Sequence, residues 1–579
     1  MHTDADTYDV AVLGSGMTGA LIGACLARNS AKVVIIDSGT HPRLTLGEGE
    51  STPLYTGMLL RLIAERYGVP EIKYLASFEA AQSKISRNGG VARNFGYVYH
   101  REGRRQDPRE AHMLQPPTMG FTPHHLFRQD TDAWLLTVAA KYGADVRQQQ
   151  RVTDVDVTED AVTIGLDGKP PIRARYVVDA GGERSVLAER FALREGPSRF
   201  RHHARTLANH MLGVRPYDEI APTRRYGNPG PWHEGSLHHV FHGGWMWVYP
   251  YGNHPRSTNP LCGVGLQLDP RVHPAPDCSP EEEFRRFVAR FPDIAAQFDG
   301  AVPVQEWVRT ERRQYSSKQV MGHRWFLAAN SAGFVDPLFS GDLTVGLETV
   351  HALTHRLLDA VREDDFATER FEDVRDLVED LLDNNDDVCA NAFVSFRDFS
   401  LWDVWYRVWY TRQILRTYEI NRRYANFLRN RDTAELAVLE RPWWRGRKPP
   451  QDVPYAPAVR FLQEANERFQ AIGRGEAGAE TAATDLMRQL SEGTFTPPVF
   501  GLGDPRLQWT SLPTRKMAET LNWTRRTAPR DIAELTLDGL FLFMRVRLAR
   551  GESHVGEELR QLVAGRPRLG RRLRVPTPK

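Results

Sequence analysis

The residues of greatest chemical potential stand in glycine-anchored segments. Gly14-Ser15-Gly16-Met17-Thr18-Gly19 follows the apolar run Tyr8 to Leu13 and opens a stretch of small residues, and Asp37 closes the next apolar run, Lys32 to Ile36. Glycines at this spacing let a phosphate approach the backbone at a helix N-terminus. An acid at the end of the second strand can take a ribose hydroxyl. The chemistry is that of a dinucleotide cofactor, with Gly14, Gly16, Gly19 and Asp37 at its adenosine half. Such a fingerprint is weak alone; between two strands and a helix it is specific, but it does not separate NAD from FAD. Three further segments gather glycine, acid, hydroxyl and tryptophan residues: Gly47 to Pro53, Trp245 to Pro250, and Gly333 to Gly341.

The choice of cofactor rests on resemblance. Arg128-Gln-Asp-Thr-Asp132-Ala-Trp134 is similar to the helix of two-domain flavin monooxygenases that opens on an arginine facing the cofactor. Tyr176-Val-Val-Asp179-Ala-Gly181-Gly182 resembles their second strand-and-glycine motif, and Trp325 to Gly333 resembles the strand and turn that carry an aspartate to the ribityl chain. Here that residue is Asn330, which keeps hydrogen-bonding capacity and loses the charge. With Gly47-Glu-Gly-Glu50-Ser51-Thr-Pro53, the WxWxxP segment of Trp245 and Trp247, and Gly333-Phe-Val-Asp336-Pro337-Leu-Phe-Ser340-Gly341, the chain from about residue 8 to 360 resembles the flavin-dependent halogenases. It is most similar to those acting on phenols, pyrroles or carrier-bound acyl groups. That resemblance implies reduced FAD and O2 as cofactors and hypohalous acid delivered to an electron-rich substrate. It further implies that Glu50, Ser51, Arg128, Asp179, Asn330, Gly333, Asp336, Pro337 and Gly341 lie along FAD, and that Trp245 and Trp247 wall the substrate off from it.

Two positions depart from the family pattern. The lysine that holds hypohalous acid falls, by counting back from Phe95-Gly96, on Asn88 beside Arg87. Neither residue offers a nucleophilic amine. Lys84 can take the role only if Arg87-Asn-Gly-Gly90 is a hairpin insertion, for which Asn-Gly-Gly is good turn chemistry. After Ser340-Gly341, Asp342 replaces a glycine of the halide turn. A carboxylate about 4 Å from chloride repels it by roughly 4 kcal/mol, on the order of a thousandfold in occupancy. The expectation is therefore an enzyme that oxygenates or dehydrogenates an electron-rich natural-product intermediate without halogenation, with Asp342 a candidate base. The alternatives are a true halogenase using Lys84 and a flavin-binding protein without catalysis. His202-His203 and His238-His239 complete no metal set, because adjacent strand residues face opposite sides.

These residues must be held by an α/β fold. The expected architecture is a Rossmann-like FAD-binding domain with an antiparallel substrate sheet (Phe95–Tyr99, Ser236–Phe241, Trp245–Tyr249, Cys262–Leu268) over residues 1 to 361. A long helix, Leu343 to Val361, leaves the flavin site. Residues 362 to 579 read as a mainly helical region covering the substrate side, divided by a Pro-rich break at 447 to 454. Its aromatic stretch, Phe393 to Phe427, reads as core or lobe interface, or as a lid that closes an apolar substrate pocket.

Length and composition agree. A chain of 579 residues exceeds one simple core. A net charge of +2 gives no case for nucleic acid, and Arg566 to Arg574 reads as a solvated tail. Cys25, Cys262, Cys278 and Cys389 have no paired spacing, which fits a reducing compartment. With no apolar run long enough to span a bilayer and no leader pattern, the expected location is cytoplasmic. The expected partners are a small-molecule or carrier-tethered substrate and a flavin reductase.

Overall fold

Strands buried on both faces need uninterrupted apolar runs. Val10–Leu13 and Val33–Ile36 supply them, and they pair in parallel. The computed structural model describes residues 7–44, 46–47, 50–116, 122–442, 455–511 and 514–549. Within them an eight-stranded sheet runs in the order Met321–Gly322, Trp325–Leu327, Lys169–Asp179, Thr7–Leu13, Val33–Ile36, Asp145–Arg147, with Val152–Val157 and Val162–Leu166 extending it antiparallel from Lys169–Asp179. The central pairings are parallel. Helix Met17–Arg28 is buried along most of its length and packs against Arg128–Lys141 and Gly341–Glu363. Gly14 has φ +102°, and a Cβ there would lie 2.6 Å from the Ala180 carbonyl oxygen, so no other residue makes this turn without strain.

A second, nine-stranded sheet lies beside the first, in the order Val302–Pro303, Arg205–Leu212, Cys262–Leu268, Gly244–Pro250, Ser236–Phe241, Phe95–His100, Ala111–Gln115, Trp509–Ser511, with Val308–Thr310 on Arg205–Leu212. Strand alternation decides its two faces. Leu237, Phe241, Met246 and Val248 pack with Phe284, Phe287, Phe291 and Ile294. Tyr97, Tyr99, Val240, Trp245, Trp247 and Tyr249 face the main core and the flavin half.

The rest is helical. Helix Phe399–Asn430 runs for 32 residues, capped by Asp398, whose side chain accepts from the Ser400 N–H at 2.8 Å. It lays Trp402, Tyr406 and Trp409 against Tyr97, with ring centroids 5.4 to 6.2 Å apart. Arg407, 1 % exposed, binds the Asp403 carboxylate and the carbonyls of Gly501, Leu502, Asp504 and Leu507. It thereby ties the loop after Phe500 to the helix.

The structure departs from expectation in detail. The substrate sheet is antiparallel except where Ser236–Phe241 meets Phe95–His100 and Trp509–Ser511 meets Met113–Gln115. The last pairing draws a C-terminal segment into the substrate sheet, and helix Gly341–Glu363 runs through the expected boundary at 361. The Pro-rich break at 447 to 454 and the arginines 566 to 574 lie outside the described residues. No described helix is long and apolar enough to cross a membrane.

Candidate active site

The glycine turn is built to receive a phosphate. Gly16 is the N-cap of helix Met17–Arg28, with no side-chain cap and no acid in the first turn. The first-turn N–H groups therefore stay available to an anion. A Cβ built on Gly16 would meet nothing within 4 Å, so open space lies directly over the turn. Gly19 closes against the carbonyl of Gly14. Asp37 accepts from the N–H of Ser15 and of Gly39, both at 2.6 Å, at the end of the second strand. These features fit the adenosine and pyrophosphate half of FAD.

Asp179 acts one step back. It is fully buried, and its oxygens accept from Gly181 N (2.9 Å), Ser331 Oγ (3.0 Å), Ser185 Oγ (2.7 Å) and Leu187 N (2.9 Å). Its carboxylate pins the glycine turn and the turn before Gly333 to each other. Gly333 is buried too, packed 3.1 Å (as Cβ) from the Tyr315 carbonyl. Glu50 pairs through its backbone with Leu126.

A polar cavity of about 360 Å³ follows, lined among others by Ser51, Arg128, Trp247, Arg313, Asn330 and Asp342, with Pro337 beside them. Arg128 holds Asp132 through two 2.8 Å bonds, Nε to Oδ1 and Nη2 to Oδ2. Asp342 stands in the first turn of helix Gly341–Glu363, where the helix dipole favours an acid. The Arg313 guanidinium lies 4.8 Å over the Phe334 ring. Asp342 is therefore not an isolated carboxylate: two guanidinium groups share its cavity.

Phe339 and Ser340, just before that helix, have φ of 61° and 56°, a left-handed pair that non-glycine residues adopt at a cost. The turn stacks Phe339 on Trp409 at 4.0 Å and lets Ser340 Oγ donate to the Ser51 carbonyl at 3.1 Å. A Cβ on Gly341 would strike the Asn385 side chain. Ser51, Ser340 and Tyr249 line the polar cavity and also a second, aromatic one. Ser51 is steadied by Ser236 Oγ at 2.7 Å, itself 3.1 Å from His125 Nε2.

The aromatic cavity, about 100 Å³, is walled by Phe95, Tyr97, His238, Phe339, Trp409 and Tyr410, with Tyr418 and Asn421 also on its lining. No charged side chain lines it among the described residues. Within the aromatic stretch Trp402, Trp405 and Tyr406 are buried in the core, whereas Trp409 and Tyr410 line the pocket.

The two tryptophans divide their work. Trp247 faces the polar cavity and lies over Gly265, where a Cβ would sit 1.7 Å from its ring. Trp245 is fully buried, and its indole N–H donates to Asp336 Oδ1 at 3.2 Å. Asp336 also accepts from the Leu338 N–H at 3.0 Å and pairs with His202 Nε2 at 2.8 Å, so it holds the wall and lines neither cavity.

Lys84 is exposed at the end of helix Phe78–Lys84 and lines neither cavity. Asn88 donates to Asp130 Oδ2 at 2.7 Å, and Arg87 to the Arg256 carbonyl at 2.9 Å. The hairpin that would bring Lys84 into place is not formed: Gly90–Val91 pairs with His124–His125 and not with the Arg87 side of the loop, and Lys84 stays exposed. Sequence reading missed His238 and Arg313. His238 was legible: the turn His242-Gly243 puts it opposite Trp247 across the hairpin. Among the described residues no group of three or more His, Cys, Asp or Glu could hold a metal ion, and the four cysteines are free.

Comparison with known proteins places this geometry. Residues 7–362 match the FAD binding domain family. The chain is 41 % identical over 547 residues to monodechloroaminopyrrolnitrin halogenase PrnC of Pseudomonas fluorescens, covering 91 % of this chain and 94 % of PrnC. It is 41 % identical over 531 residues to tetracycline 7-halogenase of Kitasatospora aureofaciens, with the same coverage, 91 % and 94 %. The crystal structure of halogenase PltM with phloroglucinol and FAD superposes with a TM-score of 0.81 at 30 % identity, over 87 % of this chain and 100 % of PltM.

These relatives overturn the expectation of an oxygenase or dehydrogenase that has lost halogenation. The charge argument behind it placed a lone carboxylate beside the halide, whereas Asp342 shares its cavity with Arg313 and with the Arg128–Asp132 pair. The non-catalytic alternative falls with it. The chain belongs to the flavin-dependent halogenases, enzymes that use FAD and O2 and are built here on an FAD-binding domain spanning residues 7–362.

Proposed function

We propose that this protein halogenates a small electron-rich aromatic molecule that carries hydroxyl or amino groups. The observation that carries the reading is the pair of joined cavities: a polar one holding Arg128, Arg313, Asp342 and Trp247, and an uncharged aromatic one, meeting at Ser51, Ser340 and Tyr249. The names of the relatives support the substrate class. One acts on an aminopyrrolnitrin, one on a tetracycline, and PltM binds phloroglucinol. Two of these name free molecules as substrate, which favours an untethered substrate over a carrier-bound one.

FAD would be held by Gly14, Gly16, Gly19 and Asp37 at its nucleotide half and by Arg128, Asn330 and Pro337 at the polar cavity. When bound and reduced by a separate reductase, it supplies, with O2 and halide, the hypohalous acid that is the halogen donor. The chain does the rest. Arg128 and Arg313 line the polar cavity with Asp132 and Asp342, so its two guanidinium groups offset its two carboxylates and an anion meets no net negative charge there. Trp247 closes its wall, so that substrate sits in the neighbouring cavity and not against the cofactor. Ser51 and Ser340 form the polar rim that the halogen donor passes. Phe95, Tyr97, Phe339 and Trp409 sandwich a planar ring and exclude water. Asn421 Oδ1 and the Tyr418 hydroxyl, both buried without a protein partner, are placed to bind its substituents.

The test is turnover with FAD, a flavin reductase, O2, chloride or bromide, and phloroglucinol as probe. Halide-dependent halogenated product is expected. Oxygenated product formed equally without halide would refute the reading.

A further inference from the structure

Electrophilic halogenation of a ring must remove a proton from it, and among the described residues no carboxylate, lysine or arginine lines the aromatic cavity to receive one. Apart from His238, its polar side chains are hydroxyls and amides. Burial holds the Tyr97 and Tyr410 hydroxyls well above their ordinary range and raises that of Tyr418, so they remain protonated. His238 differs from all of these. Its Nδ1 lies 3.0 Å from the Gly96 carbonyl, which can only accept, so Nδ1 carries the hydrogen. The second nitrogen of a neutral ring is then a lone pair. The Tyr249 hydroxyl lies at a long 3.5 Å from it. The ring is fixed by stacking on Tyr97, with centroids 4.4 Å apart and planes 13° apart, and it sits across the hairpin from Trp247.

We propose that His238 Nε2 is the proton acceptor of the halogenation reaction. This role rests on the proposed function above. In the step, the ring π pair forms the carbon–halogen bond and the oxygen–halogen pair leaves with oxygen as hydroxide. The proton on the attacked carbon passes to Nε2. The imidazolium then returns that proton to the hydroxide, giving water and neutral His238. Burial lowers the histidine to about 4, which keeps Nε2 unprotonated at neutral pH. A weak base suffices, because a ring cation that has gained halogen is a strong acid. The same strand shows the alternative fate of a histidine: His239 points to the opposite face and is consumed by Gln297 at 2.7 Å and His100 at 2.8 Å.

The experiment compares wild-type holoenzyme with His238→Gln and His238→Ala, using phloroglucinol and bromide. Glutamine can keep a donor toward Gly96 but is not a base. His238→Gln is expected to lower kcat by about a hundredfold or more, the usual worth of a general base, while FAD retention, oxygen uptake and KM stay near wild type. His238→Ala opens an imidazole-sized space, and added imidazoles are expected to restore turnover in order of their basicity. Wild-type kcat in His238→Gln, or rescue that ignores basicity, overturns the assignment. If the wild-type enzyme consumes O2 without making brominated product, the halogenation reading itself fails, an outcome distinct from either.

Discussion

Trp245 and Asp336 are joined by a hydrogen bond, indole N–H to Oδ1 at 3.2 Å, across 91 residues of sequence. The bond links the tryptophan strand to the segment before helix Gly341–Glu363, and so sets the wall of the polar cavity relative to its floor. Asp336→Asn keeps the shape but cannot accept from Trp245, His202 and Leu338 together, since half of the amide is a donor. A loss of about 2–3 kcal/mol is expected, read as a lower Tm. A variant as stable as wild type would show that the bond is incidental.

Gly16→Val separates folding from cofactor binding. The added side chain meets no protein atom within 4 Å of its Cβ, and Gly16 has φ −65°, which any residue adopts. The variant should fold with the apo-protein's Tm unchanged and purify without bound flavin, because valine occupies the space of the pyrophosphate. A yellow preparation would move the phosphate elsewhere.

Gly265→Ala acts on the other wall. A methyl group 1.7 Å from the Trp247 ring forces the indole toward the polar cavity that it lines. Overpacking of this kind costs typically 1–3 kcal/mol. Weaker FAD binding is expected together with a lower Tm, measured by flavin fluorescence on titration. Unchanged FAD affinity would mean that Trp247 yields in another direction.

Lys84→Ala is the control on the halogen chemistry. Lys84 is exposed at a helix end and lines neither cavity, so kcat and KM for halogenation should match wild type within about twofold, in keeping with the small effects of surface substitutions. Loss of halogenation in this variant would require a rearrangement that brings the helix Phe78–Lys84 inward.

Much of this was legible in the chain because it is local. The run Val33–Ile36, the turn at Gly14 and the helix behind it follow from nearest neighbours, as does the alternation that buries Trp245 and Trp247 on one face. What could not be read depended on distant residues meeting. Asp342 looked hostile to an anion because nothing in Ser340-Gly341-Asp342 announces that Arg313 enters the same cavity. The aromatic stretch gave its helix but not its division into core and pocket wall, which follows from the Phe339 turn stacking on Trp409. Counting back gave Asn88, and Lys84 entered only through a supposed hairpin, in a segment whose course is set by pairing with His124–His125.

Acid should unfold this protein early, and its buried histidines say in which direction. Burial, the leading cause in each case, lowers His124 and His238 to about 4 and His125 and His239 to about 3. In the unfolded chain the same rings titrate near 6.5. Between those values the unfolded state binds more protons than the folded one, so stability rises with pH and is lost as pH falls below about 6.5. At pH 5 each of these rings disfavours the fold by about 2 kcal/mol. Asp380, raised to about 7 chiefly by burial, works in the opposite sense and recovers about 2 kcal/mol over the fall from pH 7 to 5. The histidines outweigh it. The Tm should therefore drop steadily from pH 7 to pH 5, and a His239→Gln variant, keeping a polar partner for Gln297 without a titrating ring, should flatten that slope. A Tm constant across this range would mean that the histidines are not neutral and buried in solution.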